Sequence, residues 1–246
     1  MKQSVFITTV LIIALVLAYV IFEYMMPDYI KDGGYLVVGL IAMTIMVVTF
    51  IFERVFSLRK AQGRGSLAVF LKNVTQDINK GNIDGGIAAC DKQRGSCANI
   101  IRTGLDKYKM LVQEGDIKSQ KEMMADVQRA IEEAMMLEVP LLEKNLVALS
   151  TIATISVLWG LLGTVLGMIK AFRAMARAGS PDPIQLALGI SEALVNTAGG
   201  LIAAIAGILS YNFFTTKVDN FTYMIDEASY SIVQTLAEKL PGGKSK

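Results

Sequence analysis

Histidine is absent from the 246-residue sequence, and cysteine occurs only twice, at Cys90 and Cys97. Without an imidazole, the chain has no histidine general base, no serine–histidine triad and no histidine zinc ligand. Two cysteines cannot build a disulfide framework, and their spacing is not a metal-binding signature, so we expect reduced, half-buried thiols in a cytoplasmic helical region. The glycine-rich stretches at 63–65 and 85–86 lack the Lys-Ser/Thr that follows in a phosphate-binding loop. Together these absences argue against an enzyme and against a metal or cofactor.

The net charge is also small, because 24 basic and 22 acidic residues leave a formal charge of +2. No basic stripe interleaved with aromatic residues marks a nucleic-acid surface. Hydrophobic residues, by contrast, make up 53% of the chain, and the mean hydropathy is +0.47. They concentrate in four runs, at 5–22, 35–52, 146–169 and 189–214, that approach or reach the length of about 20 residues needed to cross a bilayer. The sequence therefore predicts an all-α integral membrane protein with four transmembrane helices.

The charges around the first two runs predict the orientation of the chain. The first run is longer than a usual signal-peptide core and no small-residue cleavage site follows it, so we expect an uncleaved helix. The link between the first two runs is acid-rich, and basic residues in short loops favour the cytoplasm. Four basic residues follow the second run: Arg54, Arg59, Lys60 and Arg64. Both termini are then cytoplasmic, although this also leaves Lys170, Arg173 and Arg177 in an outer loop.

The stretch from 53 to 145 has helical rather than strand periodicity. Apolar residues recur every three or four positions around 69–78 and 117–135. Asp116 is a candidate N-cap for one long helix that runs into the third span and that Pro140 bends or marks at its entry. The same spacing over 215–236 gives the tail one apolar face, which we expect to pack on the inserted domain or on a neighbouring subunit before Pro241 ends the helix.

Small and polar residues form a seam on the last two spans. On the third span, one helix face carries Ser156, Gly160, Gly163, Thr164 and Gly167. On the fourth span, helical spacing relates Glu192, Asn196, Gly199, Gly200, Ala203 and Gly207, with Thr197 beside this line. Glu192 is the only acid within a span, and a charge at the bilayer centre costs about 2.5–3.5 kcal/mol. We therefore expect Glu192 either to face a water-filled or protein-lined cavity or to be protonated.

Two interpretations of this seam stay open from the residues alone. Glycine in membrane helices usually serves close packing between helices. Thr164 and Thr197 suit backbone-bonded packing and pore lining equally well, and Glu192, near one end of its span, also suits an interfacial position. The seam therefore indicates either a polar pathway or a tight oligomer.

Two ordered stretches carry a more specific signal. The sequences LWGLLGTVLGMI at 158–169 and GISEALVNTAGGLIAA at 189–204, followed by Tyr211-Asn212-Phe213, resemble the paired signature of the MotA/TolQ/ExbB proton-channel family. The similarity is greatest to the ExbB and TolQ branch. It covers the C-terminal part of the chain, whereas the inserted domain matches in size, position and helical character only.

This resemblance implies the pore-forming stator subunit of an ion-driven motor in the bacterial inner membrane. Such subunits form pentamers around a dimer of a single-span ExbD- or TolR-like partner, whose membrane aspartate carries the ion, usually a proton, and they work with a TonB- or TolA-like protein. Thr164, Glu192 and Thr197 correspond to the family's pore-lining polar residues, and Asn196 lies on the same face. The alternative is a membrane scaffold that oligomerises without conducting ions.

The apolar run at 5–22 departs from the pattern of the family, because ExbB-like members have three transmembrane spans. We therefore expect an extra N-terminal transmembrane helix with a short periplasmic loop (1–34), followed by a second transmembrane helix (35–58) and a cytoplasmic helical domain (59–145). After these we expect a pore helix (146–170), a periplasmic loop (171–188), a second pore helix (189–214) and a cytoplasmic tail (215–246).

Overall fold

The four apolar runs and the two periodic stretches between them all fold as helices. The computed structural model describes residues 3–114, 120–176 and 182–239, and these contain helices but no strand. Four helices are long and apolar enough to cross a membrane, so the predicted all-α fold with four such helices is confirmed. In chain order the helices are α1 (Gln3–Tyr24), α2 (Asp28–Lys31), α3 (Leu36–Gln62), α4 (Leu67–Asn79), α5 (Ile83–Gln93), α6 (Ser96–Glu114), α7 (Gln120–Glu143), α8 (Leu146–Ala176) and α9 (Pro183–Lys239).

The boundary between α7 and α8 differs from expectation. α7 continues through Pro140 to Glu143, and the chain then turns at Lys144 and Asn145. Asn145 has a φ of 68°, a left-handed conformation that asparagine adopts more readily than most non-glycine residues. The expectation of one continuous helix into the third span is therefore wrong, because the break falls at Asn145 and the proline is accommodated. The candidate N-cap Asp116 lies outside the described residues.

Both ends of the interval 171–188, which we expected to be an outer loop, are helical. α8 continues to Ala176, and α9 begins at Pro183. Pro183 stands at the first helical position, where its missing N–H costs nothing. The preceding Asp182 accepts hydrogen bonds from the backbone N–H groups of Ile184 and Gln185, at 3.0 and 3.2 Å, and so caps the helix.

The chain separates into two compact units, of which the first comprises Met1–Arg54 and Asn145–Phe214. Its core lies between α3, α8 and the first half of α9 and includes the fully buried Val47, Phe50 and Leu149. α1 contributes only one narrow face to this core, through side chains four residues apart: Ala14, Ala18 and Phe22. Most of its other side chains are exposed and apolar, as expected for a helix surrounded by lipid.

The second unit comprises Val55–Lys144 and Thr215–Lys246. α4 buries Phe70, Val74 and Ile78 at the predicted helical spacing. The apolar face of the tail is buried along its whole described length, at Val218, Phe221, Ile225, Ala228, Ile232 and Leu236. The prediction that this face packs on the inserted domain is thus confirmed, and the stop at Pro241 lies outside the described residues.

The two cysteines lie at the α5 and α6 part of this second unit. Both are free thiols, as expected, but they are buried rather than half-buried, with 2% and 1% of Cys90 and Cys97 exposed. Burial raises the pKa of each thiol to about 12. For Cys90, the neighbouring Cys97 and Asp91 add to this effect. Both side chains therefore behave as small apolar core residues.

Candidate functional site

The candidate site begins where α8 and α9 pack almost backbone to backbone. A Cβ atom at Gly200 would lie 2.6 Å from the carbonyl oxygen of Ser156, and one at Gly160 would lie 3.0 Å from the carbonyl oxygen of Asn196. A Cβ at Gly167 would lie 2.7 Å from the backbone nitrogen of Ala193. Only glycine permits this approach, because no larger residue fits at such a crossing in a membrane bundle.

The other three glycines predicted to serve packing lie where α9 contacts α8 or α3. Gly163 lies against the side chain of Asn196, and Gly207 lies against Ala153 of α8. Gly199 faces α3 instead, since a Cβ there would lie 3.1 Å from the terminal Cδ1 of Leu40. α9 is therefore held between α8 and α3 in the first unit.

Thr164 of α8 and Thr197 of α9 meet at this crossing, where both side chains are half-buried. Their hydroxyl oxygens are hydrogen-bonded to each other. Each hydroxyl also has an acceptor in its own helix: the carbonyl oxygen of Gly160 lies 3.2 Å from Thr164 Oγ1, and that of Ala193 lies 3.1 Å from Thr197 Oγ1. The two threonines thus form one polar contact, placed where the glycines bring the helices closest.

Glu192 lies about 7.5 Å along α9 from Thr197, at the helical rise of 1.5 Å per residue. Its carboxylate accepts from Lys170 Nζ of α8 through both oxygens, at 2.5 and 2.7 Å. The Glu192 side chain is 11% exposed, whereas that of Lys170 is 61% exposed. The loop between α2 and α3 covers the acid from another side, because a Cβ at Gly34 would lie 3.2 Å from Glu192 Oε1. Glu192 is therefore a buried carboxylate neutralised by a cation that reaches out to solvent or headgroups.

Asn196 lies between the threonines and the acid and is completely buried. Its Nδ2 donates to the carbonyl oxygens of Gly33 and Glu192, at 2.7 and 2.8 Å. Its Oδ1 accepts no hydrogen bond from the part of the chain that the structure describes. Asn196 therefore fastens the α2–α3 loop onto α9 and leaves one buried acceptor available.

The structure thus brings Thr164, Thr197, Asn196 and Glu192 together along one seam. Sequence reasoning missed Lys170, which it treated as an outer-loop cation, and the Gly33–Gly34 loop. Lys170 is separated from Glu192 by 22 residues, and only the pairing of a cation at the end of one span with an acid at the start of the next hints at their contact. Trp159 was also missed, although its Nε1 donates to the carbonyl oxygen of Leu36 at 3.0 Å and fixes α8 on α3.

No group of three or more metal-ligating side chains occurs among the described residues. The seam instead supplies hydroxyl and amide groups, a paired carboxylate and narrow backbone packing within membrane-length helices. Such an arrangement can hold or pass a small cation or a proton by exchanging hydrogen bonds.

Comparison with known proteins agrees with this geometry. Residues 92–227 match the MotA/TolQ/ExbB proton channel family. The chain is 29% identical over 187 residues to the Tol-Pal system protein TolQ of Pseudomonas aeruginosa, which covers 74% of this chain and 80% of TolQ. It is 33% identical over 184 residues to an ExbB-like biopolymer transport protein of Synechocystis, covering 74% and 81%. The biopolymer transport protein ExbB of Salmonella typhimurium is 34% identical over 85 residues, or 35% of each chain.

The family match spans more than half of the chain and includes both pore-signature stretches. The match to TolQ and the match to the ExbB-like protein each extend over about three quarters of the chain. The chain therefore belongs to the MotA/TolQ/ExbB proton channel family, in its ExbB and TolQ branch, which is a family of channels rather than of enzymes.

Proposed function

We propose that this chain is the pore-forming stator subunit of a proton-driven complex in a bacterial inner membrane. The complex would transduce ion-motive force to the cell envelope, for outer-membrane transport or envelope maintenance. Family membership supports the channel role, and the names of the relatives, Tol-Pal system and biopolymer transport, support the envelope processes. The family's name supports a proton as the driving ion, the resemblance implies the motor role, and the threonine pair supplies a polar contact that such a pathway needs.

The hydrogen bond between Thr164 and Thr197 is the observation that carries the proposal. A conducting site must offer hydrogen bonds without a fixed charge that would trap the ion. Two half-buried hydroxyls at a glycine-packed crossing meet this requirement, and each can return to a carbonyl of its own helix when its partner is displaced. In a ring of subunits this contact would face the lumen.

Glu192 and Asn196 would form the outer end of the same pathway. Lys170 neutralises the Glu192 carboxylate, so an arriving cation would meet a polar surface without strong net charge. The unoccupied Oδ1 of Asn196 would accept a hydrogen bond from a water or hydronium between this pair and the threonines. The six packing glycines would keep the wall thin enough for adjacent subunits to close the ring.

The assembly follows from the same proposal. Five copies would surround a dimer of a single-span ExbD- or TolR-like partner, which would in turn engage a TonB- or TolA-like protein. Both termini, the domain at 59–145 and the tail at 215–246 would be cytoplasmic. The short segments 25–34 and 171–188 would be periplasmic, and the extra helix before them would lie outside the pore.

Proton flux across vesicles that contain this chain and its single-span partner tests the threonine pair. Thr164→Val and Thr197→Val keep the side-chain shape and remove the hydroxyl. Each should lower flux by roughly 5- to 30-fold, as expected when one hydrogen bond of about 1–2 kcal/mol is lost at the rate-limiting barrier. Glu192→Ala should also lower it. The flux is followed with a pH-sensitive dye after an imposed potential, with and without Na⁺ at fixed pH.

Thr154→Val is the matched control, because Thr154 is an exposed threonine of α8 whose hydroxyl donates only to the Ser150 carbonyl, at 3.0 Å. It should leave flux unchanged, and all variants should assemble like the wild type in size-exclusion chromatography. Wild-type flux in both valine variants and in Glu192→Ala would remove the pore assignment. An oligomer whose envelope function is indifferent to the ion gradient would instead support the scaffold alternative.

A further inference from the structure

Two loops of the second unit interlock next to the start of α6. The backbone N–H of Arg64 donates to the carbonyl oxygen of Gln93 at 2.7 Å, and Gln93 Nε2 donates back to the carbonyl oxygen of Gln62 at 3.2 Å. Gly63, with a φ of 77°, lies directly against the carbonyl of Arg94. These contacts fix the loops 62–65 and 93–96 relative to each other, so the side chains they carry project from a rigid base.

A cavity of about 630 Å³ opens between these loops, the end of α3 and α7. Four basic side chains line it, Arg59, Lys60, Arg64 and Arg94, and all four are exposed. None of them forms an ion pair with a carboxylate in the described part of the chain. Four like charges around one cavity repel each other unless an anion joins them, so the cavity is electrostatically prepared for a negative ligand.

Two further features of the cavity wall suit a phosphate. Ser96, the first residue of α6, lines the cavity and is only 7% exposed, and its hydroxyl makes no hydrogen bond to any described residue. The first N–H groups of the 19-residue α6 lie at the same place, where a helix favours anions. The single carboxylate of the wall, Glu138, is already engaged, because its Oε1 accepts from Asn99 Nδ2 at 2.9 Å.

The surroundings of the cavity indicate a lipid rather than a soluble phosphate. Leu141 lines the cavity, and Leu137, one turn before it on α7, is 74% exposed. Phe56, one turn before Lys60 on α3, is 67% exposed. Lys60 itself follows Phe52, the end of the apolar run of the same helix, by about 12 Å at 1.5 Å per residue. Basic residues that follow a membrane helix directly, beside exposed apolar side chains, can hold a headgroup phosphate and its acyl chain together.

We propose that this cavity, the basic pocket of Arg59, Lys60, Arg64 and Arg94, binds the phosphate of an anionic phospholipid. The arginines and the α6 N-terminus hold the phosphate oxygens, Ser96 donates its hydroxyl, and the acyl chains lie against Leu137, Leu141 and Phe56. The choice of leaflet rests on the orientation in the proposed function, in which this binding would anchor the second unit to the cytoplasmic leaflet.

Binding of phosphatidylglycerol to the full-length protein in neutral detergent tests the proposal, with phosphatidylcholine as the uncharged reference. Affinity is read from native mass spectrometry and from the lipid-dependent rise in thermal midpoint. The double variant Arg59→Gln/Arg64→Gln should bind phosphatidylglycerol at least tenfold more weakly. Each Lys or Arg near an anionic lipid surface raises the affinity by about fivefold, and this variant removes two of them. The charge-preserving Arg59→Lys/Arg64→Lys should retain binding within about threefold.

Lys72→Gln/Arg129→Gln is the matched control, since it removes two exposed cations of the second unit outside the basic pocket. It should bind like the wild type. Equal loss in this control, or unchanged binding in the pocket variant with a wild-type melting profile, would overturn the proposal. A third arm adds inorganic phosphate or glycerol 3-phosphate: binding of either as tight as that of phosphatidylglycerol would show a soluble ligand and would also overturn it.

Discussion

The helix crossing at Gly200 allows a prediction that compares two adjacent glycines. A Cβ at Gly200 would lie 2.6 Å from the Ser156 carbonyl oxygen and 2.9 Å from the Cα of Gly160, both backbone atoms of α8. A Cβ at Gly199 would meet Leu40 Cδ1, the end of a flexible side chain, at 3.1 Å. Gly200→Ala therefore has to move a helix, whereas Gly199→Ala has only to move a methyl group.

The size of the effect follows from these distances. Restoring an ordinary separation of about 3.5 Å at Gly200 would push α8 and α9 apart by ~0.9 Å. Overpacking of this kind costs about 1–3 kcal/mol, and it would also lengthen the Thr164–Thr197 hydrogen bond. Both alanines gain up to about 1 kcal/mol from helix propensity, so this gain cancels when the two variants are compared. We expect Gly200→Ala to be less stable than Gly199→Ala by about 1–3 kcal/mol.

Trp159 is the only tryptophan of the chain and packs against α3 one residue before Gly160, so its fluorescence reports the packing of α8 beside the crossing. Unfolding of detergent-solubilised protein by heat or by a denaturing detergent gives the stability difference between the variants. Ion flux in vesicles should fall for Gly200→Ala and stay near wild type for Gly199→Ala. Equal stabilities and equal flux would refute the close backbone contact and, with it, the assignment of Gly200 as a packing residue.

Two further predictions concern the second unit and its boundary. Because burial raises the pKa of Cys90 and Cys97 from 9 to about 12, their thiolate fraction at pH 8 is about a thousandfold lower than in the unfolded chain. Alkylation by a maleimide should therefore be at least a hundredfold slower in the native protein than in denaturant, and equal rates would contradict the burial. Asn145 has a φ of 68°, which strains a β-branched residue but not glycine, so Asn145→Val should be less stable than Asn145→Gly by about 1–2 kcal/mol of unfolding free energy. Similar melting of these two variants would exclude the left-handed turn.

The membrane helices and the apolar faces could be predicted because they depend on neighbours along the chain. A run of apolar residues or a spacing of three and four is a local property, and burial of Val74 or Ile225 follows from it directly. The seam glycines were found for the same reason, since close helix packing requires small residues at regular spacing. Thr164 and Thr197 lie on or beside the same small-residue faces of α8 and α9 that this spacing predicts.

The contacts between distant residues could not be predicted in this way. Lys170 pairs with Glu192, and Gly33 accepts from Asn196, only because the tertiary fold brings separate segments together. The break before α8 was misplaced because proline is the stronger signal, yet α7 accommodates Pro140 and the turn depends on the tolerance of Asn145 for positive φ. The burial of the thiols depended likewise on packing that no local pattern encodes.

The paired hydroxyls of Thr164 and Thr197 have a consequence for how charge could move past them. Each hydroxyl has one proton, and each has two acceptors within reach: the oxygen of the other hydroxyl and a backbone carbonyl of its own helix. In one arrangement Thr164 donates to Thr197, and Thr197 donates to the carbonyl of Ala193. In the other, Thr197 donates to Thr164, and Thr164 donates to the carbonyl of Gly160. The two orientations differ by rotation about two C–O bonds and by the carbonyl, that of Ala193 or that of Gly160, that accepts the second hydrogen bond. In the proposed pathway the pair would therefore be a reversible relay whose direction an approaching charge could set.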